Sequence, residues 1–374
     1  MYVLKYLHYQ KIILFWRLHL SLHRRIFYFK NNLSTPVSDF RMTMRAMKTL
    51  FGFRTAAAAR RLGAAILFSA AMAVSVAGAH AEPLVSVQWL TDHGAAPDLV
   101  VLDIRSAIDG GGVQAYTAAH IPGSVHSDYD KAGWRVTRNN VPFMVPTAPE
   151  LEKLIGDLGI DETSHVVVVP AGVNVLDFGS AARAYWTLKY VGVKNVSILD
   201  GGVAAWRRAG LPLESGLKGP SPKIFTVTVD KSILAEASDV ETIEDKGSAT
   251  LVDARPASFF FGKEKAPASQ AYGHIPGALN IDSAGFYDAK ANRLRPKAEL
   301  AVIADAVPAG PAVSYCNTGH WAATDWFVLH ELLGRKETRL YAGSMVEWTS
   351  NADRPIESSR TKWDDLKKAI GLGS

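Results

Sequence analysis

Cysteine is almost absent from the sequence. Among 374 residues only Cys316 is present, which excludes an intramolecular disulfide framework and a Cys-rich structural zinc site. Negative charge is missing from one end: residues 1–81 hold 12 lysines and arginines and a single acidic residue, Asp39. The whole chain stands at +5, yet the part after Ala81 holds 29 basic and 35 acidic residues, a net of −6. The body therefore offers no electrostatic reason to expect nucleic acid as a partner. Glycine-rich phosphate loops and His/Asp/Glu pairs at metal-ligand spacing are also missing, so no cofactor is expected. What remains is 48% hydrophobic and 21% charged, a globular composition at a length that suits two domains.

The basic end reads as an address. Arg45, Lys48, Arg54, Arg60 and Arg61 precede an uncharged apolar stretch from Leu62 to Val76, and Ala79-His80-Ala81 comes next as a small-x-small site. The stretch is shorter than the ~20 residues of a spanning helix. Residues 44–81 are thus expected to be a signal peptide cleaved after Ala81, giving a periplasmic protein with no stable membrane association after cleavage. Arg60-Arg61 leaves the general and the twin-arginine export routes both open. Residues 1–43, basic and aromatic, stand ahead of Met42, Met44 and Met47 and are read as a doubtful upstream extension.

The body is one module written twice. Val101-Leu102-Asp103-Ile104-Arg105 recurs as Leu251-Val252-Asp253-Ala254-Arg255, and Ala119-His120-Ile121-Pro122-Gly123 as Gly273-His274-Ile275-Pro276-Gly277. Asp200-Gly201-Gly202-Val203 recurs around Ala342-Gly343-Ser344-Met345, and Leu211-Pro212-Leu213-Glu214 echoes Arg354-Pro355-Ile356-Glu357. Blocks in one order about 150 residues apart mean two homologous domains, placed at 84–214 and 224–360 with a Gly/Pro/Ser-rich linker over 215–223 and a tail over 361–374.

Each copy alternates strands and helices, which predicts an α/β fold with mostly parallel sheets flanked by helices. In the first copy the expected elements are a strand over Leu99–Ile104, a capping box at Thr147–Glu150, a strand over Val166–Val169, a helix from about Ser180 to Tyr190 and a strand over Val196–Leu199. In the second they are a helix over Lys297–Ala306, strands over Ala312–Tyr315 and Thr338–Tyr341, and one helix over His320–Leu333.

Cys316 stands directly after a strand and opens a turn, Asn317-Thr318-Gly319-His320-Trp321, that runs into a helix. Open α/β sheets bind ligands at the carboxyl ends of their strands. Successive N–H groups of such a turn form an anion-binding nest and favour thiolate over thiol. Thr318 and His320 are expected to donate to a bound anion. A lone cysteine is more often a small buried hydrophobe; the strand–turn–helix setting and the export signal favour a reactive thiol reachable from solvent.

Asp-x-Arg, Gly-His-Ile-Pro-Gly and a cysteine opening a six-residue loop, in tandem copies, resemble the two-domain rhodaneses, the thiosulfate and 3-mercaptopyruvate sulfurtransferases. The resemblance spans residues 84–360. It implies two rhodanese-like domains, the first without a nucleophile, where Pro170-Ala171-Gly172-Val173-Asn174 stands in place of the cysteine loop. It implies that Cys316 carries a sulfane sulfur as a persulfide, that Asn317, Thr318, Gly319, His320 and Trp321 hold that sulfur, and that Arg255 binds a small anionic donor. The implied acceptor is cyanide or a thiol. Thiosulfate-specific members often carry basic residues after the cysteine, and mercaptopyruvate-type members small neutral ones. Here Asn317-Thr318 are neutral and His320-Trp321 replace the usual small apolar pair, so the donor stays open between the two, with export favouring thiosulfate. The other reading is a periplasmic sulfur carrier with little small-molecule turnover.

A cysteine phosphatase needs an arginine six residues after the cysteine, where this chain has Ala322; a Cys–His hydrolase needs an oriented base. His120 and His274 recur in both copies and are expected to be structural, bonded to backbone. Arg105 is read as a relic. Arg183 is expected at the start of a helix, solvated or in a salt bridge between the copies. Trp186, Trp206, Trp326 and Trp348 are expected in the core, with Trp321 as a pocket wall.

Overall fold

The computed structural model describes residues 81–217 and 219–361. The doubtful extension 1–43, the signal peptide up to His80, Lys218 of the linker and the tail beyond Thr361 lie outside the described residues.

The first copy runs β1 (Leu84–Val85), β2 (Leu99–Asp103), β3 (Val125–His126), a β4–β5 hairpin (Val136–Arg138, Val141–Met144), β6 (His165–Val169) and β7 (Asn195–Leu199). The second runs β8 (Leu234–Ala235), β9 (Thr250–Asp253), β10 (Leu279–Asn280), a β11–β12 hairpin (Tyr287–Asp288, Arg293–Leu294), β13 (Ala312–Tyr315) and β14 (Thr338–Tyr341). The five-stranded sheets have the orders β1-β7-β6-β2-β3 and β8-β14-β13-β9-β10, every pairing parallel. Position for position they are the same sheet, as the repeat predicts. Val166 to Val169 and Ala312 to Tyr315 are buried without alternation, the pattern of a central strand covered on both faces.

Register aligns the exits of the two central strands. Asp103 pairs with Val169, and Asp253 with Tyr315. The next residues, Pro170 and Cys316, therefore occupy equivalent places at the carboxyl ends of the two sheets. The trailing segments close on the His-Ile-Pro-Gly turns of both copies through paired backbone bonds, His120 with Glu214 and His274 with Glu357, which is why the Pro-x-Glu echo recurs.

The capping box forms as expected: Thr147 Oγ1 accepts from Glu150 N at 3.4 Å and Glu150 accepts from Thr147 N at 2.7 Å. Three elements differ from expectation. The helix placed at Ser180 begins at Val175, capped by Asn174. The helix placed over His320–Leu333 is an α-helix over Trp321–Trp326 continued by a π-helical stretch over Phe327–Leu332. The linker reaches further than its composition indicates. Lys223 N donates to Gly156 O, Thr228 N to Val191 O and Asp230 N to Tyr190 O, so residues 223–230 are bound along the first copy.

The copies share a core. The Val175–Tyr190 helix packs against the Trp321–Trp326 helix, with Tyr185 edge-on to Phe327 at 4.9 Å and Phe178 at 5.9 Å from the same ring. One cluster of buried side chains runs from Leu102 and Val168 of the first copy to Val252 and Cys316 of the second. At about 25 cal/mol per Å² of apolar surface removed from water, each such ring adds roughly 2 kcal/mol to the joint.

Candidate active site

Cys316 stands one residue past β13, 1% exposed. The turn around it is held from below by the Ser344–Trp348 helix. Met345 N donates to Cys316 O and Val346 N to Asn317 O, each at 3.0 Å. Cys316 N donates to Ser344 Oγ at 3.0 Å, and Ser344 Oγ to Tyr341 O at 2.8 Å. The first copy repeats the frame, with Val203 N on Pro170 O and Ala204 N on Ala171 O at 2.9 Å. Gly202 there occupies the place of Ser344, at φ +54° against +52°. Proline has no N–H to satisfy, so no hydroxyl is required; the cysteine brings an N–H, and a serine accepts it although its left-handed backbone costs about 1 kcal/mol.

The amides of Asn317, Thr318, Gly319 and His320 have no acceptor among the described residues. Four successive donors at the end of a buried strand, just ahead of a helix, form a concave anion nest. In the first copy the same nest is already filled. The Asp177 carboxylate accepts from Ala171 N at 2.8 Å, Gly172 N at 2.5 Å and Val173 N at 3.1 Å. Burial pushes Asp177 up to about 6 against the pull of those amides. A built-in carboxylate thus occupies the anion position where the chain has no nucleophile.

Arg255 is braced rather than free. Its Nε lies 2.8 Å from Asp253 Oδ1, and Nη2 lies 2.5 Å from Asp253 Oδ2 and 2.8 Å from Gly273 O. Burial works against the charge, but Asp253 more than offsets it and holds the guanidinium above its ordinary value. Arg105 makes the same pair with Asp103 and the carbonyl of Ala119. The brace is common to both copies, so Arg105 is a working structural part rather than a relic. What is particular to Arg255 is Nη1, turned to the cysteine loop and 3.4 Å from Asn317 Oδ1.

His320 does not face the sulfur as a donor, contrary to expectation. Its Nε2 is 2.8 Å from Leu176 O and its Nδ1 3.2 Å from Tyr129 Oη. A carbonyl accepts only, so Nε2 carries the proton and Nδ1 accepts from the tyrosine. Burial first, then the positive charge of Arg135, lowers its pKa to about 3. The imidazole is a neutral strut from the cysteine loop to the first copy. Gly179 makes room for it: a Cβ there would sit 2.7 Å from His320 Nε2.

Thr318 is half-buried and Gly319, at φ +69°, leaves no room for a side chain, since a Cβ would meet Arg183 and Ala342 O. Trp321 is half-buried and edge-on to Phe259 at 5.8 Å, joining the Arg255 side of the site to the cysteine loop. Trp186, Trp206, Trp326 and Trp348 are buried, as expected. His120 and His274 bond through Nδ1 to Tyr116 O at 2.9 Å and Phe260 O at 2.8 Å, also as expected. Arg183 is not solvated, and among the described residues it has no salt-bridge partner. It lies inside a helix, fully buried, with Nη1 on the carbonyls of Thr318, Gly319 and Ala342. Sequence reasoning missed Tyr129, Gly179 and Ser344 as parts of the site. A glycine, and an arginine set between alanines, in the Val175–Tyr190 helix, and a serine where the other copy has glycine, were the available signals.

A family model described as Rhodanese-like domain matches residues 86–209 and 236–351. The chain is 31% identical over 285 residues to the 3-mercaptopyruvate sulfurtransferase of Escherichia coli, which covers 73% of this chain and 97% of that one. It is 31% identical over 289 residues to a putative thiosulfate sulfurtransferase of Mycolicibacterium smegmatis, covering 75% and 99%. Among solved structures, that of SseA from Escherichia coli superposes with a TM-score of 0.61 at 29% identity, covering 70% of this chain and 98% of that one.

Proposed function

The chain belongs to the rhodanese-like family, and from that premise we propose that this sulfurtransferase moves a sulfane sulfur from a small anionic donor to a thiophilic acceptor through a persulfide on Cys316. Thiosulfate is the favoured donor, 3-mercaptopyruvate the alternative, and cyanide or a thiol the acceptor. The relatives carry both donor names, and the neutral Asn317-Thr318 pair does not separate them.

The observation that carries this reading is the nest itself: four amides around the only cysteine that have no acceptor among the described residues, in the copy where none of those residues supplies a carboxylate to fill them. With thiosulfate, the Cys316 thiolate attacks the outer sulfur, a Cys–S bond forms, the donor's S–S bond breaks and sulfite leaves with the electron pair. The loop amides and Arg255, whose Nη1 is turned to the cysteine loop, stabilise the anionic charge during the exchange. Cyanide then attacks the outer sulfur of the persulfide, giving thiocyanate and returning the thiolate. Cys316 is 1% exposed, which departs from the expectation of a thiol reachable from solvent: the sulfur lies at the floor of the loop.

Thiocyanate release from thiosulfate plus cyanide tests the reading. Sustained turnover that is lost in Cys316→Ser supports it; a parent chain that loads one sulfur and then stalls supports the carrier reading instead. Periplasmic residence after cleavage is proposed from the charge and apolar pattern of residues 44–81. A periplasmic chain beginning at Glu82 is expected; a chain retained in the cytoplasm would overturn export, and an exported chain that still carries these residues would overturn cleavage.

A further inference from the structure

Arg183 is a buried cation without an anion. It sits in the middle of the Val175–Tyr190 helix among Ala181, Ala182, Ala184 and Tyr185, and is 0% exposed. Its Nη1 lies 3.1 Å from Gly319 O and 3.4 Å from both Thr318 O and Ala342 O. Its Nε and Nη2 are buried with no hydrogen-bond partner. No carboxylate pairs with it among the described residues. Burial lowers its pKa to about 10, which leaves it charged at neutral pH. An uncompensated interior charge costs several kcal/mol, and an apolar side chain of the same volume would pack more cheaply.

We propose that Arg183, supplied by the copy that lacks a nucleophile, is the positioning residue that orients the cysteine loop and provides the counter-charge for the anionic sulfur of Cys316. This rests on the persulfide reading. The carbonyl and the N–H of a trans peptide point in opposite directions. Pinning the carbonyls of Thr318 and Gly319 onto Arg183 therefore turns the N–H groups of Gly319 and His320 away from it, into the loop. Ala342 O is drawn to the same cation, so both segments that frame Cys316 are held by one side chain of the other copy.

The other charged groups around the loop are paired or neutral. Arg255 is paired with Asp253, Arg135, which lies over the Tyr129 ring at 4.4 Å, is paired with Asp130 at 3.0 Å, His320 is neutral, and burial raises the pKa of Tyr129, which stays protonated. Cys316 and Tyr129 are the groups whose negative forms act on Arg183, and burial keeps Tyr129 in its neutral form. The unpaired nitrogens of Arg183 match an anion that exists only while the sulfur is thiolate or persulfide.

The test uses the full chain with Arg183→Met and Arg183→Lys, reading alkylation of Cys316 by iodoacetamide against pH, thiocyanate turnover and thermal unfolding. In R183M, alkylation at neutral pH is expected to fall roughly tenfold and to recover at higher pH, the mark of a thiol pKa raised by about one unit. In R183K, which keeps the charge but not the planar fork, alkylation should stay within about twofold while kcat falls. A folded R183M with the parental pH profile would overturn the proposal. If R183M does not fold, R183K decides: retained alkylation with reduced kcat supports the proposal, while unchanged kcat or a tenfold loss of alkylation overturns it. A parent chain that forms no persulfide would defeat the proposed function instead, whatever the variants do.

Discussion

Cys316 differs from its counterpart Pro170 by more than a thiol, because its N–H brings in Ser344 where the other copy has Gly202. Ser344→Gly should relieve about 1 kcal/mol of backbone strain and leave a buried N–H unpaired at about the same cost. We expect near-parental stability by thermal unfolding but lower kcat; unchanged kcat would deny the hydroxyl a role. The two Asp–Arg braces offer a matched comparison. Removing either arginine strands a buried carboxylate, so Arg105→Ala and Arg255→Ala should each lose about 3–5 kcal/mol in denaturant unfolding. Only the second should also raise the donor KM, with a smaller fall in kcat; equal effects on KM would reduce Arg255 to the brace alone.

His320 also makes stability depend on pH. The unfolded chain takes up a proton below the ordinary value of 6.5, but the folded chain resists it down to about 3. Stability from this group is therefore lost as pH falls through that window, by up to about 1.4 kcal/mol per pH unit. Asp177 acts with the opposite sign. Raised from 3.8 to about 6, it holds its proton more tightly when folded and offsets part of the loss between those values. The comparison that isolates the histidine is His320→Gln against the parent. The variant should lose less stability on acidification, and parallel curves would contradict the buried neutral assignment.

At the scale of elements, the strands were legible and the site helices were not. Ala312–Tyr315 and Thr338–Tyr341 match expectation because a buried parallel strand announces itself as a short apolar run between turns. The Val175–Tyr190 helix starts five residues ahead of the expected Ser180, and its first turns carry Asp177 and Gly179, poor helix formers. Both are there for the site: Asp177 fills the vacant nest and Gly179 clears space for His320. Gly179→Ala tests this directly. Helix propensity alone predicts a gain of about 1 kcal/mol. A Cβ 2.7 Å from an imidazole fixed at both nitrogens predicts a loss instead, with reduced turnover. A stabilised, fully active variant would remove the strut from the account.

For the whole molecule, the duplication was visible in the repeated blocks, and with it two mostly parallel sheets flanked by helices and the place of the cysteine. The joint between the copies was not visible. Periodicity marks which faces are apolar but not which apolar face meets which, so the sequence leaves Arg183 solvated or in a salt bridge between the copies and puts His320 on the anion. The shared core implies that the copies unfold together. Calorimetry of the chain should show one transition, and two separated transitions would contradict a common core.

The claim on which the functional account turns is that the nest holds a sulfur anion on Cys316. Intact mass of the chain after thiosulfate treatment, before and after cyanide, measures it. The parent should be heavier by one sulfur atom and return to its original mass with cyanide, while Cys316→Ser should not change. A parent whose mass does not move, or a serine variant that gains the same sulfur, would contradict it.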